Sequence, residues 1–184
     1  PEEVICAWAS KLVGQPIKWS ADRSEAFLTD ANGRDQQVHA KMALDEDHQI
    51  TGLQVSIIAN MGAYLSTFGS LIPTYMCGPL LSGQYTIPAI YTEVKAVFTN
   101  TAPVDAYRGA GRPEAAFIIE RLVDLAARKL GVDPVELRRK NFIRKFPYQT
   151  PVISVYDVGD YEACLDKALK MVEYETYNTR KDKS

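Results

Sequence analysis

Apolar residues near the start of the chain recur at helical spacing. Four large apolar side chains lie three or four positions apart: Val4, Ile5, Trp8 and Leu12. They predict a helix over residues 3–13, which Gly14 followed by Pro16 would stop. Residues 17–21 then alternate between apolar and polar side chains, which predicts a short strand.

Two later segments alternate strictly between apolar and polar positions. Their apolar members are Val38, Ala40, Met42 and Leu44 in the first, and Leu53, Val55, Ile57 and Ala59 in the second. The polar run 45–49 between them favours a turn, so the two segments predict a long antiparallel hairpin. Residues 61–88 mix Gly, Ser, Thr and Pro with larger apolar residues, which indicates a loop with one short helix at 73–81. Residues 91–100 are rich in β-branched and aromatic side chains and predict a third strand.

The second half of the chain is predicted to be mainly helical. A single apolar stripe follows Pro113, which can begin a helix: Ala115, Ile118, Ile119, Leu122, Val123, Ala126 and Leu130. Gly131 ends this helix, Asp133-Pro134 opens another that reaches residue 142, and Asp160 caps a last one. The order of elements indicates an α+β fold with helices packed on a largely antiparallel sheet. The polar tail 177–184 is predicted to fray, which leaves 1–176 as the folded part.

The composition excludes several classes of protein. Hydrophobic residues make up 46% of the 184 residues, which is enough to bury one core, so disorder is not expected. The formal net charge of −2 provides no long-range attraction to nucleic acid or to an anionic membrane. The longest apolar stretches, 53–61 and 115–130, are too short or too interrupted by charge for membrane insertion.

The cysteines and the first residue add two expectations. Cys6, Cys77 and Cys164 are odd in number, widely spaced and without metal-like spacing, which favours reduced thiols in a cytoplasmic protein over a disulfide framework. Pro1 leads directly into the first predicted helix, with no initiator Met and no signal-like segment. We therefore expect that the chain is a piece of a longer protein.

Residues 105–114, Asp-Ala-Tyr-Arg-Gly-Ala-Gly-Arg-Pro-Glu, lie between the third predicted strand and the long helix. Backbone amides and the positive end of a helix can converge on an anion at such a junction. Gly109 and Gly111 permit close backbone approach, and Arg108 and Arg112 add two bidentate cations. A structural turn with solvated arginines would have the same local pattern. The local sequence therefore does not decide between two interpretations of this segment, an anion site and a structural cap.

The longer string 99–115 resembles the active-site loop in the large subunits of molybdenum hydroxylases. Three further segments, Tyr85-Thr-Ile-Pro, Gly131-Val-Asp-Pro and Leu137-Arg-Arg-Lys-Asn, stand at that family's spacing, and residues 14–22 resemble the segment before its hairpin. The family includes xanthine dehydrogenases, aldehyde oxidases and aerobic carbon monoxide dehydrogenases. The resemblance covers most of residues 1–170, and it implies a fragment of the family's molybdopterin-binding domain.

The resemblance also implies a cofactor and partners. The corresponding loop approaches the molybdenum of molybdopterin or of its cytosine dinucleotide form. The backbone at Arg108 would face an oxo or sulfido ligand of the metal, with Gly109, Ala110 and Gly111 lining the pocket. Arg112 would join the cofactor site or form a structural ion pair. The implied reaction is hydroxylation of a small carbon substrate with oxygen from water, the electrons leaving to an iron–sulfur small subunit and an FAD-binding medium subunit.

Two positions depart from the family's better-known patterns. Copper-containing carbon monoxide dehydrogenases have a Cys ligand where this chain has Gly109, and xanthine dehydrogenases have a Phe that stacks on the purine where it has Ala110. Neither copper chemistry nor a purine substrate is therefore expected. The form Ala-Tyr-Arg-Gly-Ala-Gly-Arg is similar instead to a second group of carbon monoxide dehydrogenase-like large chains, for which we expect a small aldehyde, carboxylate or heterocycle as substrate.

Parts of the family's active site have no equivalent in this chain, namely a Phe-Gly-Gly loop and a downstream glutamate base. Five local residues lack a family match as catalyst and are interpreted as solvated or capping groups: Glu25, Glu93, Glu114, His39 and His48. We expect no catalytic residue, no metal ligand and no bound cofactor in the fragment alone, and an exposed, irregular, mobile loop at 104–112. Two other interpretations remain, a non-catalytic assembly scaffold and an unrelated anion-binding module that uses Arg108 and Arg112.

Overall fold

The computed structural model describes residues 2–181. The helices are α1 (Glu2–Val13), α2 (Arg23–Thr29), α3 (Arg112–Leu130), α4 (Pro134–Asn141), α5 (Tyr161–Met171) and α6 (Tyr177–Lys181). The strands are β1 (Gln36–Leu44), β2 (Ile50–Asn60), β3 (Ile90–Val97), β4 (Tyr148–Gln149) and β5 (Val155–Tyr156), and two short 3-10 turns occupy Gly78–Leu80 and Tyr174–Thr176. Of the predicted tail 177–184, the first five residues form α6 and residues 182–184 lie outside the described part. None of the described helices is long and apolar enough to cross a membrane.

The predicted hairpin is confirmed. β1 and β2 pair antiparallel, from Gln36 opposite Ala59 to Met42 opposite Leu53. In the turn between them, the amide of Gln49 donates to the carboxylate of Asp45 at 2.8 Å. The polar run between the two strands therefore forms the turn that its composition favoured.

The third strand joins the sheet in parallel. β3 runs beside β2 from Ile90 next to Leu53 to Val97 next to Asn60. The predicted α+β fold with a largely antiparallel sheet is confirmed: β1–β2 and β4–β5 pair antiparallel, and β2–β3 is the parallel exception. A parallel neighbour needs a long crossover, and residues 61–89 provide it. Because β2 and β3 end at the same edge, the chain leaves both strands close to the loop that enters α3.

The core lies between the sheet and α3. The buried residues of β2 include four at alternating positions: Leu53, Val55, Ile57 and Ala59. Four of the buried residues of α3 fall on the predicted stripe, namely Ala115, Ile118, Ile119 and Val123; Ala127 is buried as well, whereas Leu130 is exposed. Tyr85 and Phe142 stack against each other within the same cluster, with ring centroids 5.9 Å apart. Removal of this apolar surface from water fixes α3 on the sheet and so positions the loop at its start.

The N-terminal region differs from the prediction. α1 is confirmed, but residues 17–21 form no strand, and α2 follows instead. Asp22 and Glu25 make a capping box, each side chain accepting from the other's amide at 2.8 and 2.9 Å, which satisfies free amides at the helix start. Ile17 and Trp19, which suggested the strand, are exposed and meet no partner strand in residues 2–181.

Candidate cofactor-binding loop

The segment 98–111 leaves the edge where β2 and β3 end and leads into α3. Its first half is held by the main chain of another segment. The amide of Asn32 donates to the carbonyl of Pro103 at 2.9 Å, and the amide of Asp105 donates to the carbonyl of Asn32 at 2.8 Å. Pro103 and Val104 are buried by this contact. The start of the loop is therefore fixed by the chain that precedes β1.

The carboxylate of Asp105 ties the loop to the crossover. It accepts hydrogen bonds from the hydroxyl of Ser66, from the amide of Phe68 at 3.5 Å and from the amide of Ala106 at 2.6 Å. Partial burial acts to raise the pKa of Asp105, but these hydrogen bonds favour the charged form and hold the pKa below its ordinary value. Asp105 is therefore an ionised anchor at neutral pH.

Three consecutive residues with positive φ turn the chain into α3. The φ angles of Gly109, Ala110 and Gly111 are 94°, 29° and 84°. The amide of Ala110 donates to the carbonyl of Tyr107 at 2.8 Å, which closes the turn. A Cβ on Gly111 would lie 2.5 Å from the carbonyl oxygen of Met76 in the crossover. The sign of φ and this close approach together require glycine there.

The turn leaves several hydrogen-bond donors without acceptors. Within the described residues, the amides of Arg108, Gly109 and Gly111 donate to no protein group. Arg108 and Arg112 are exposed, and no described carboxylate lies within 4.0 Å of either guanidinium. Arg112 instead approaches Met76, with 4.0 Å between Nη1 and Sδ. Free amides beside a helix start and two cations fit a negatively charged group.

The expected exposure of the loop 104–112 is found in its middle. Residues 106–109 are exposed and irregular, whereas Val104 and Gly111 at its two ends are buried. The loop is therefore an open turn on fixed anchors, and its mobility remains a prediction.

Arg34, from the segment before β1, also reaches the loop. Its Nη2 donates to the carbonyl of Arg108, its Cζ lies 4.7 Å from the centre of the Tyr107 ring, and its Nε lies 3.5 Å from Oε1 of Glu114. The sequence did not identify Arg34 because 74 positions separate it from Arg108 and no motif marks it. Covariation of Arg34 with Tyr107 or Glu114, whose side chains it meets, is the signal that could have identified it.

Cys77 lies beneath the loop and is fully buried. Burial, together with the negative charge of Glu114, raises the pKa of the thiol to about 12, so Cys77 keeps its proton at neutral pH. A metal ligand would have to be the thiolate. Cys77 is therefore a packed thiol, and all three cysteines are free. No group of three His, Cys, Asp or Glu side chains suited to a metal occurs in residues 2–181.

Of the five residues interpreted as solvated or capping groups, only Glu114 lies at the loop. Glu25 caps α2, and Glu93 lies 3.5 Å from Lys95. His39 is exposed on β1, and His48 lies in the hairpin turn with a φ of 62°. Within residues 2–181, none of these four side chains has a hydrogen bond or ion pair to residues 104–112.

Comparison with known proteins gives consistent matches. Residues 1–142 match the family model of the molybdopterin cofactor-binding domain. The chain is 42% identical over 181 residues to the carbon monoxide dehydrogenase large chain of Hydrogenophaga pseudoflava, covering 95% of this chain and 22% of that protein. It is 32% identical over 186 residues to the nicotine 6-hydroxylase large subunit of Paenarthrobacter nicotinovorans, covering 100% and 23%. The fold matches quinoline 2-oxidoreductase from Pseudomonas putida 86 with a TM-score of 0.92 at 31% identity, covering 100% of this chain and 24% of that one. The chain thus spans less than a quarter of the length of these relatives.

Proposed function

The chain belongs to the molybdopterin cofactor-binding domain family, and from this premise we propose that it forms part of the catalytic subunit of a molybdenum-containing oxidoreductase of the carbon monoxide dehydrogenase and xanthine dehydrogenase type. The observation that carries the proposal is the turn before α3, whose amides at Arg108, Gly109 and Gly111 have no acceptor within the described residues. Amides without an acceptor in the protein, beside the start of a helix and two arginines, are suited to hold a negatively charged group.

Five consecutive residues would hold the cofactor: Arg108, Gly109, Ala110, Gly111 and Arg112. The amides of Arg108 and Gly109 would donate to it, and the guanidinium of Arg112 would add positive charge. Because the anchors on both sides are fixed, these donors need little reorganisation when charge develops at the site. We propose molybdopterin in its cytosine dinucleotide form. When bound, it supplies a two-electron oxidation in which a C–H bond and water yield a C–OH group, two protons and two electrons.

The electrons would leave through companion chains. Cys6, Cys77 and Cys164 differ in burial and lack the spacing of an iron–sulfur ligand set. We therefore propose a cytoplasmic complex with an iron–sulfur small subunit and an FAD-binding medium subunit. The family resemblance implies that several segments hold the pterin, and this chain supplies one of them. The isolated chain should accordingly be inactive and hold no molybdenum, because one loop would have to offset the entropy of association alone.

The proposed substrate is a small organic molecule that is oxidised at a C–H bond next to nitrogen or oxygen. Copper(I) prefers sulfur ligands, Gly109 offers none, and the Cys77 thiol is protonated. Ala110 offers no ring for a purine to stack on. Nicotine 6-hydroxylase and quinoline 2-oxidoreductase are named for nitrogen heterocycles, which supports this class of substrate.

The test is to purify the complete enzyme that contains this chain and measure its metals and its turnover. We expect stoichiometric molybdenum, no copper, and oxidation of members of a panel of aldehydes and azaheterocycles. Stoichiometric copper with rapid oxidation of carbon monoxide would contradict the substrate proposal. A complex without molybdenum would favour the assembly scaffold, and phosphate binding without molybdenum would favour the anion-binding module.

A further inference from the structure

We propose that Arg34 is a positioning residue that sets which way the peptide group between Arg108 and Gly109 faces in the cofactor-binding loop. The inference rests on the proposed function, because it assigns a role to Arg34 within that site. Arg34 lies between α2 and β1 and has a φ of 62°. This left-handed conformation is uncommon outside glycine and is retained where neighbouring contacts impose it.

Within residues 2–181, the side chain of Arg34 contacts the loop and the start of α3. Its Nη2 donates to the carbonyl of Arg108, and its Cζ lies over the Tyr107 ring, 4.7 Å from the ring centre. Nε lies 3.5 Å from Oε1 of Glu114, in the first turn of α3. A single side chain thus joins the residue before the turn, the turn itself and the helix after it.

The hydrogen bond to the carbonyl of Arg108 has a consequence for the next amide. The carbonyl of Arg108 and the N–H of Gly109 belong to one planar trans peptide group, so they point in opposite directions. While Arg34 holds the carbonyl, the Gly109 N–H must point away from Arg34. Without this bond the group can rotate at low cost, because glycine accepts either sign of φ. Rotation would present a carbonyl oxygen, which repels an anion, in place of the amide donor.

The buried carboxylate of Glu114 explains why Arg34 itself stays in place. The Glu114 side chain is 10% exposed, and neither of its oxygens has a hydrogen-bond partner within the described residues. A buried charge is costly unless an opposite charge lies nearby, and Arg34 provides that charge. Lysine would keep the charge but could not stack on Tyr107 and donate to the carbonyl at the same time.

The test uses the complete enzyme, prepared with and without cofactor, and three variants: Arg34→Gln, Arg34→Lys and the double variant Arg34→Gln/Glu114→Gln. Arg34, Glu114 and Arg121 line one groove on the surface. Arg121→Gln is the matched control, because Arg121 is exposed and has no ion pair within the described residues. Three quantities are measured: the melting temperature, molybdenum per chain, and hydrogen exchange in the cofactor-free protein at the amides of Ala110 and Arg112. The hydrogen bonds of these two amides close the turn, at 2.8 and 3.2 Å.

Arg34→Gln removes one hydrogen bond that holds the turn against the preceding segment, so we expect the turn to open about tenfold more often. Exchange at both amides should speed up by the same factor, and molybdenum content should fall. The double variant should restore the melting temperature of the wild type, because it removes the uncompensated carboxylate. Neither the double variant nor Arg34→Lys should restore the slow exchange at Ala110 and Arg112. Arg121→Gln should match the wild type. The positioning role would be overturned if exchange in Arg34→Gln were unchanged. It would also be overturned if Arg34→Lys or the double variant restored wild-type exchange, and Arg34 would then be only a member of a structural ion pair. If the wild type itself holds no molybdenum, the proposed function fails, and exchange in the cofactor-free protein still decides the role of Arg34.

Discussion

The two ends of α3 are both closed by a left-handed glycine, yet their surroundings differ. At the C-terminal end, Gly131 has a φ of 70°, and a Cβ there would meet nothing within 4 Å. At the N-terminal end, Gly111 has a φ of 84° and is pressed against the backbone of Met76. The first glycine provides a conformation only, whereas the second also provides a close approach between two segments.

The polar groups near the two ends of α3 differ in whether their hydrogen-bond donors have acceptors within the chain. Towards the C-terminal end, Arg138 lies 2.8 Å from both Glu120 and Asp124, and Glu120 also accepts from the hydroxyl of Tyr85 at 2.7 Å. Burial and the charge of Glu120 raise the pKa of Tyr85, so its hydroxyl stays a donor. The donors of this network meet acceptors within the chain, whereas amides before the N-terminal end do not. The satisfied end stabilises the fold, and the open end is suited to binding.

The largest expected effect comes from replacing the two glycines. Gly131→Ala should cost about 1–2 kcal/mol, because it adds a Cβ to a left-handed residue. Gly111→Ala should cost about 3–4 kcal/mol, because the clash with Met76 adds an overpacking term. Chemical unfolding of the protein that carries this chain measures both values. Equal costs at the two positions would remove the distinction between the two ends.

A smaller loss of stability is expected from Arg138→Met. It leaves Glu120 and Asp124 without their shared cation and should cost about 1–2 kcal/mol, since the network is only partly buried. Arg128→Met, in the exposed last turn of α3, is the control and should cost less than about 0.5 kcal/mol. Neither substitution should alter molybdenum content in the complete enzyme. A loss of molybdenum in Arg138→Met would show that the network also serves the loop.

The smallest expected effect is a change in pH dependence at Asp105. Because its folded pKa lies below its unfolded value of 3.8, Asp105 adds stability above about pH 4 and loses that contribution as the pH falls through the folded pKa. Asp105→Asn should therefore be less stable than the wild type at pH 7, and the difference should shrink below about pH 4. Asp47→Asn, in the exposed hairpin turn, is the control. Unfolding midpoints at several pH values measure the trend, and a difference that grew in acid would contradict it.

The pattern of apolar and polar positions was sufficient to predict a helix or strand where one face of that element is buried. The stripe on α3 and the alternation in β2 predicted both elements because their apolar residues form the core. Pattern failed over 17–21, where Ile17 and Trp19 alternate but are exposed. It also could not give the direction of β3, because a strand has the same alternation whether it pairs parallel or antiparallel.

The same distinction applies to the candidate loop, in which the sequence identified some residues and missed others. Gly109, Gly111, Arg108 and Arg112 could be identified from the sequence because they are contiguous and precede a helix. The anchors could not, because Asn32, Arg34 and Ser66 reach the loop through tertiary contacts from distant parts of the chain. The sequence also left open whether Arg112 forms a structural ion pair; in the structure it forms none within residues 2–181.

The central claim is that amides left free in the turn before α3 donate to a bound cofactor, and hydrogen exchange of the complete enzyme tests it most directly. Exchange at Arg108, Gly109 and Gly111 is compared between cofactor-loaded and cofactor-free protein, with the helix α4 (Pro134–Asn141) as internal reference. The account predicts exchange at least about tenfold slower at the turn in the loaded protein, with no change in the reference segment. Equal exchange at the turn in the two forms, in a protein shown to contain stoichiometric molybdenum, would contradict it.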